Sequence, residues 1–231
     1  MNMKTNYKSL FTLLGVVVLT LAMLTSCVDI PTEAPPLPDF KAKLRVIHVA
    51  TDVGDPGVKI NGVGVGALAF GNSTAYQTVD AGRHAFQAGS EKADTLFIDT
   101  DFSGTVFMAT KDANNTRRFI KMREHWLYTD VAPADMGKIF ITQMVTGAAL
   151  KIDLVTVEGG TETPATLSSG LAFSRYVSKT LTPTGKTYYY NVYDGATLLK
   201  KIDFTVSAGK AKHHVLYNTK ADLKVKEFGN E

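Results

Sequence analysis

Cysteine is almost missing from this chain. Its 231 residues include a single one, Cys27, so no disulfide can form within the chain, and any folded part must be held together by its core alone. The chain also has little excess of positive over negative charge, because its 25 Lys and Arg residues are nearly balanced by 22 Asp and Glu residues, which gives a net charge of +3. Removal of the leader with Lys4 and Lys8 would lower that charge to +1. A broad basic surface for nucleic acid is therefore excluded.

Sequence motifs of metal sites and of catalytic nucleophiles are missing as well. The five histidines show neither His-x-His nor His-Glu-x-x-His spacing, and the chain has no Gly-x-Ser-x-Gly sequence. His213 and His214 are adjacent, so on a strand they would point to opposite faces and could not hold one ion together. We predict no catalytic residue, no metal and no cofactor. A hydrolase assembled from distant residues is the less favoured alternative.

The amino-terminal segment has the parts of an export signal. Lys4 and Lys8 precede an apolar run of 15 residues from Leu10 to Leu24, and Thr25-Ser26 leads into Cys27. That run is short for a membrane-spanning helix and suits a cleaved leader over residues 1–26. The Leu24-Thr25-Ser26-Cys27 sequence resembles the lipobox of bacterial lipoproteins, which implies lipid attachment at Cys27. The alternatives are an ordinary secretory signal or an uncleaved anchor, with Cys27 incidental.

A proline-rich segment follows Cys27. It contains four of the eight prolines, Pro31, Pro35, Pro36 and Pro38, and this density disfavours both helices and strand pairing. We predict an extended tether over residues 27–42, with a reach of about 3.1 Å per residue if it is polyproline II.

Beyond the tether, apolar residues alternate with polar ones and glycine-rich turns punctuate the pattern. Asn61-Gly62 and Asp194-Gly195 are typical of β-hairpins, and no segment carries a helical stripe. The pattern predicts strands near 43–50, 57–61, 73–80, 83–88, 95–99, 104–110, 117–122, 138–146, 150–156, 174–181, 186–193, 198–206, 211–217 and 222–227.

The predicted strand pattern occurs twice in the sequence, as an internal repeat. Lys43-Leu44-Arg45-Val46-Ile47 aligns with Lys138-Ile139-Phe140-Ile141-Thr142, and Leu68-Ala69-Phe70 aligns with Leu171-Ala172-Phe173. The alignment pairs Gly82 with Gly185 and Phe86 with Tyr189, and it places an inserted exposed loop over 158–164. A unit of about 100 residues with about seven strands has the size of an immunoglobulin-like domain. We predict an all-β protein of two tandem antiparallel β-sandwiches, over 43–130 and 136–231.

The first of these units resembles a known family. The segments that carry the resemblance are Leu44-Arg45-Val46-Ile47-His48-Val49-Ala50, Val58-Lys59-Ile60-Asn61-Gly62, Leu68-Ala69-Phe70-Gly71, Tyr76 and Val79-Asp80-Ala81-Gly82. They are similar to the amino-terminal pattern of the domain-of-unknown-function 4397 family. The resemblance implies an exported bacterial protein, often a lipoprotein, with immunoglobulin-like β domains, and it implies no activity.

Aromatic residues are the remaining candidates for a binding site. If Phe86 and Tyr189 face inward, Tyr188 and Tyr190 face outward, and with Trp126 and Tyr128 they could form a platform for a sugar or a protein. The plainer interpretation is that Tyr188 and Tyr190 form cross-strand pairs and that Trp126 packs under the interdomain linker.

Two functions remain open. We predict a non-catalytic lipoprotein of the bacterial cell envelope, anchored to the outer membrane through Cys27, that acts as a structural, adhesive or protein-docking module. The alternative is a glycan-binding surface lipoprotein that feeds a transport system. The expected partners are accordingly the membrane, through the amino-terminal lipid, and an envelope protein or a glycan.

Overall fold

In the computed structural model, residues 40–111, 115–124 and 132–229 are described, and they form an all-β protein. None of these residues lies in a helix, so this part of the chain contains no helix that could cross a membrane. The strands of the first half are β1 (Lys41–His48), β2 (Gly57–Ile60), β3 (Val63–Ala67), β4 (Gln77–Asp80), β5 (Gly82–Ala88), β6 (Asp94–Ile98), β7 (Ser103–Met108) and β8 (Phe119–Arg123). Those of the second half are β9 (Gly137–Gln143), β10 (Ala149–Glu158), β11 (Thr161–Ala172), β12 (Tyr176–Leu181), β13 (Thr187–Asp194), β14 (Thr197–Phe204), β15 (Ala211–Asn218) and β16 (Leu223–Gly229).

The strands form four sheets of four strands each, two in each half. We call β4-β1-β7-β8 the first inner sheet and β3-β2-β5-β6 the first outer sheet. In the second half, β12-β9-β15-β16 is the second inner sheet and β11-β10-β13-β14 is the second outer sheet. The strand order of the second pair is that of the first with every number raised by eight. The repeat seen in the sequence is therefore present in the topology.

Each half departs from the predicted unit in two ways. It contains eight strands instead of about seven, and one pair of strands is parallel, β1 with β7 and β9 with β15. The register of that pair is the same in both copies, since Lys43 lies opposite Ser103 and Lys138 opposite Ala211. All other strand pairs are antiparallel, as predicted. The limits 43–130 and 136–231 remain a prediction, because residues 125–131 lie outside the described part.

The predicted loop over 158–164 is wrong. Only Gly159 and Gly160 form the turn, with φ values of 56° and 84°, and Thr161 already begins β11. Two successive residues at positive φ suit a type I′ hairpin turn. The inserted residues therefore lengthen a regular hairpin.

Each half has a core between its two sheets. In the first half, Leu44 and Val106 of the inner sheet pack against Phe86 of the outer sheet. In the second half, Ile141 and Leu216 pack against Tyr190 in the same way. Both halves are thus β-sandwiches, in which alternate side chains of two facing sheets exclude water.

A third buried cluster joins the two sandwiches, and we call it the junction core. It forms between the outward faces of the two inner sheets. Its buried members are Ile47, Val49, Phe107, Ala109, Met144, Val215 and Tyr217, and Phe70, Ile120, Met122, Phe173 and Phe228 pack against them. The order of the sheets is thus first outer, first inner, second inner, second outer.

The junction core is built from equivalent positions of the two copies. With the shared register, Val49 corresponds to Met144, and Phe107 corresponds to Val215. Gly71 shows how closely the halves approach each other, because a Cβ there would lie 2.5 Å from the Tyr217 hydroxyl oxygen. Its φ of +80° also disfavours any other residue.

Candidate functional site

The predicted tyrosine platform is not where the sequence placed it. Tyr188 and Tyr190 are only 4% and 0% exposed and belong to the core of the second sandwich. Tyr188 donates a hydrogen bond to the Thr182 carbonyl at 2.7 Å, and Tyr190 donates one to Nδ1 of His214 at 2.9 Å. The prediction that these two tyrosines face outward is wrong, and neither ring is open to a ligand.

The error comes from the register of β13. Phe86 does face the core, as predicted, but Tyr189 does not, so the alignment paired residues of opposite faces. The connection from β4 to β5 is the single residue Ala81, whereas β12 and β13 are joined by residues 182–186. A shift of one residue exchanges the two faces of a strand. The offset that aligned the flanking residues therefore does not hold within β13.

The outward residues of β13 are Tyr189, Asn191 and Tyr193. Two lysines cover their rings: Nζ of Lys201 lies 3.7 Å from the centroid of Tyr189, and Nζ of Lys151 lies 5.1 Å from that of Tyr193. Asp153 lies opposite Asn191 on β10. We call this group the tyrosine face; it consists of Lys151, Asp153, Tyr189, Asn191, Tyr193 and Lys201. The run of three tyrosines signals that an aromatic residue faces outward, but not which one.

Polar side chains of the first sandwich are engaged inside the protein. Arg117, with a side chain only 1% exposed, binds Glu91 through Nε at 2.8 Å and Asp52 through Nη1 at 2.6 Å. The hydrogen bond from Arg117 lowers the pKa of Glu91. Burial works to raise the pKa of Asp52, but the Arg117 contacts outweigh it and the net shift is downward.

A second charged group lies beside the junction core. Nη2 of Arg45 contacts Oε1 of Glu124 at 2.8 Å, and Tyr76 donates a hydrogen bond to the same carboxylate. The Arg45 guanidinium carbon lies 3.9 Å from the ring centroid of Phe228, which belongs to the second sandwich. These contacts hold the two halves in register.

Four of the described histidines are buried, and burial lowers the pKa of three of them. Burial lowers the pKa of His48, and its Nε2–H donates to the Gly54 carbonyl at 2.6 Å. Burial, helped by the charge of Arg45, lowers the pKa of His213 to about 3, and its Nε2 lies 2.6 Å from the Thr142 hydroxyl. Burial also lowers the pKa of His214 despite a 2.8 Å contact from its Nε2 to Glu227. Among the described residues, no group of three His, Cys, Asp or Glu side chains could hold a metal ion.

Three of the predicted site residues cannot be placed. Cys27, Trp126 and Tyr128 lie outside the described residues. Their roles in lipid attachment and ligand binding stay predictions.

No protein-family model matches the chain, so the resemblance to the domain-of-unknown-function 4397 family stays a prediction. No curated protein matches it either.

Solved structures similar to this chain include the Bacillus anthracis TIE protein, at 14% identity and a TM-score of 0.27 over 77% of this chain. The chain spans 34% of the length of that protein. A "putative cell adhesion protein" from Bacteroides uniformis is 13% identical with a TM-score of 0.28, over 85% of this chain and 99% of that one. The tip fimbrial protein Mfa3 from Porphyromonas gingivalis is 11% identical with a TM-score of 0.29, over 82% and 99%. Likenesses this distant carry no argument about function.

Proposed function

We propose that this chain is a non-catalytic, lipid-anchored protein of the bacterial cell envelope that acts as a structural, adhesive or docking module. The observation that carries the proposal is the junction core, which joins two sandwiches into one block. Phe107 and Val215 are both fully buried there, one from each half. A module that transmits force or presents a surface at a fixed angle needs such a joint, whereas two beads on a flexible linker would not provide it.

The polar groups of the two joined sandwiches support a non-catalytic role. Arg117, Arg45 and the buried histidines each have partners inside the protein. A catalytic group must instead reach a substrate in a usable protonation state. The groups with shifted pKa values are accounted for by structure.

The anchor is the second part of the proposal. The leader over 1–26 and the lipobox-like Leu24-Thr25-Ser26-Cys27 support attachment of acyl chains at Cys27. Each buried methylene contributes about 0.8 kcal/mol, and more than one acyl chain gives stable anchoring. The residues of the tether would then separate the block from the outer membrane.

Metabolic labelling tests the anchor. The full chain is produced in a bacterial host fed an alkyne fatty acid, beside a Cys27→Ser variant. We expect label and membrane association in the first and neither in the second. Equal membrane retention of both chains without label would contradict lipid anchoring.

Cell attachment tests the adhesive or docking role. Cells that display the full chain are compared with cells that produce Cys27→Ser, for binding to a second bacterial strain and to immobilised polysaccharide. We expect attachment only when the chain is anchored. Turnover of ester, peptide or glycoside substrates by the purified full chain, abolished by a point substitution, would contradict the non-catalytic assignment.

A further inference from the structure

The tyrosine face lies on the side of the second outer sheet that points away from the core. Tyr188, Tyr190 and Val192 point into the second sandwich, so Tyr189, Asn191 and Tyr193 point away from it. Leu198, opposite Tyr193 on β14, is 52% exposed and extends the apolar part of this surface. The face therefore combines aromatic, aliphatic and amide groups on one side of a sheet.

The charges around this face largely pair with one another. Lys151 contacts Asp153 at 2.6 Å, and Asp153 also accepts a hydrogen bond from Thr166 at 2.7 Å. Lys201 lies 3.9 Å from the neighbouring Asp203. Glu162, which interacts with the Tyr189 hydroxyl, leaves one acidic residue in excess. The face therefore disfavours an acidic partner and offers hydrogen-bonding groups to a neutral one.

The spacing of the aromatic rings suits an extended partner. Tyr189 and Tyr193 are four residues apart on one strand, which separates their Cα atoms by about 13 Å at about 3.3 Å per residue. Asn191 lies between them, opposite Asp153. A chain that follows β13 would meet a ring, then a polar row, then a second ring.

We propose that the tyrosine face binds a neutral polysaccharide along β13. Sugar rings have apolar faces for Tyr193 and Tyr189, and their hydroxyl groups can replace water on Asn191 and Asp153. Tyr189 is only 8% exposed and lies under Lys201, whose side chain is itself 49% exposed, so binding at this ring requires Lys201 to move aside. This proposal deepens the proposed function, on which it rests, by assigning a partner to the docking module.

A protein partner suits the face less well. Lys151 lies beside Asp153 in its middle with a side chain 39% exposed, and a protein interface would have to remove that ammonium group from water. Fully buried interface centres are depleted in charged residues for this reason. A hydrated glycan leaves these charges in contact with hydroxyl groups and water.

The first sandwich offers a matched control. The outward residues of its strand β5 include Ala85 and Gln87, with no tyrosine among them. Phe97 on β6 is 57% exposed, and its substitution removes an exposed ring from the corresponding outer sheet. Phe97→Ala therefore tests whether any exposed ring is sufficient.

Affinity electrophoresis of the full chain in detergent tests the proposal, in gels that contain one of four neutral polymers, xylan, mixed-linkage β-glucan, α-mannan or amylose, or the acidic polymer polygalacturonate. We expect retardation by at least one of these neutral polymers. Tyr193→Ala should weaken binding about tenfold, whereas Phe97→Ala should not, and Tyr193→Phe should retain binding because it keeps the ring. Unchanged thermal unfolding of Tyr193→Ala would show that the fold survives.

Three results would overturn the proposal: no retardation by any of the four polymers, binding only to the acidic polymer polygalacturonate, or equal losses in Tyr193→Ala and Phe97→Ala. Attachment of cells tells this failure apart from failure of the proposed function. If displayed cells still adhere while no neutral polymer binds, the docking role stands and its partner is a protein or an acidic polymer. If neither occurs, both proposals fail.

Discussion

The two sandwiches share one strand order but satisfy their buried polar groups by different means. The first uses charge: Arg117 neutralises Asp52 and Glu91 within hydrogen-bonding distance. The second links two neutral groups, the Tyr190 hydroxyl and the His214 ring, to the partly exposed carboxylate of Glu227.

The difference shows which part of the sequence specifies the fold. Strand order and the inward apolar residues are common to both halves, so they suffice for the sandwich. A polar side chain can be buried wherever a hydrogen-bond or ion-pair partner is available. The chemical type of that partner can differ between the two halves. Similar topology therefore does not predict similar responses to substitution or to pH.

The largest expected effect is on the joint that the halves share. Phe107→Ala removes a fully buried ring from the junction core and should lower the free energy of unfolding by about 4 kcal/mol. Urea unfolding of the full chain should show one transition in the native protein and two in the variant. Phe97→Ala, at an exposed site, should cost about 0.5 kcal/mol or less. Two transitions in the native protein would show that the halves are not coupled.

The charged network of the first half should give the next largest effect. Arg117→Ala leaves Asp52 and Glu91 without their shared cation and should cost about 3 kcal/mol by urea unfolding. Its neighbour provides the control, because the Arg118 side chain is 57% exposed and lies 3.6 Å from Asp94. Arg118→Ala should change stability by about 0.5 kcal/mol or less. Equal losses in the two variants would contradict a special role for the buried Arg117 side chain.

Loss of the hydrogen bond between Tyr190 and His214 in the second half should lower the free energy of unfolding by a smaller amount. Tyr190→Phe keeps the ring but leaves Nδ1 of His214 without its donor, and it should cost about 1.5 kcal/mol. Tyr189→Phe, on the opposite face of β13, should be close to neutral. Thermal unfolding of the two variants checks the order. A larger loss in Tyr189→Phe would contradict the assigned faces.

Mild acid should have the smallest effect, and it should act through the histidines of both halves. Their pKa values are lowered in the fold, so below about pH 6.5 the unfolded chain binds protons that the native chain does not. Stability should thus be complete well above pH 6.5 and decline as the pH falls through 6.5 towards 5.5. The urea midpoint measures the decline, and NMR of the His213 ring should show no titration above pH 4. Stability that rises on acidification over this range would contradict the burial of neutral histidines.

Most of the strands could be predicted from the sequence, and the two missed strands have a common cause. They are β3 and β11, which hold the same place in each half at the edge of an outer sheet. In β3 the glycines Gly64 and Gly66 interrupt the pattern, and β11 is exposed along most of its length. An edge strand with little to bury carries no alternation, so its pairing depends on the neighbouring strand.

The candidate site was harder to predict because it depends on register. The sequence locates three tyrosines in β13, but the register of this strand with β10 and β14 decides which of them face the core. The parallel pairing of β1 with β7 could not be predicted from the sequence either, since it joins residues about 60 positions apart. Local patterns contain no information on either.

The junction core has a consequence for assembly. Each copy contributes the same face of its inner sheet. The two copies therefore cover each other's apolar face, as the partners of a twofold dimer do. Such a contact closes on itself and cannot recruit a third unit. If the protein forms chains or layers on a cell, its contacts to neighbours must use the outer sheets, their edges or the loops, and polymer growth can be blocked there without unfolding the subunit.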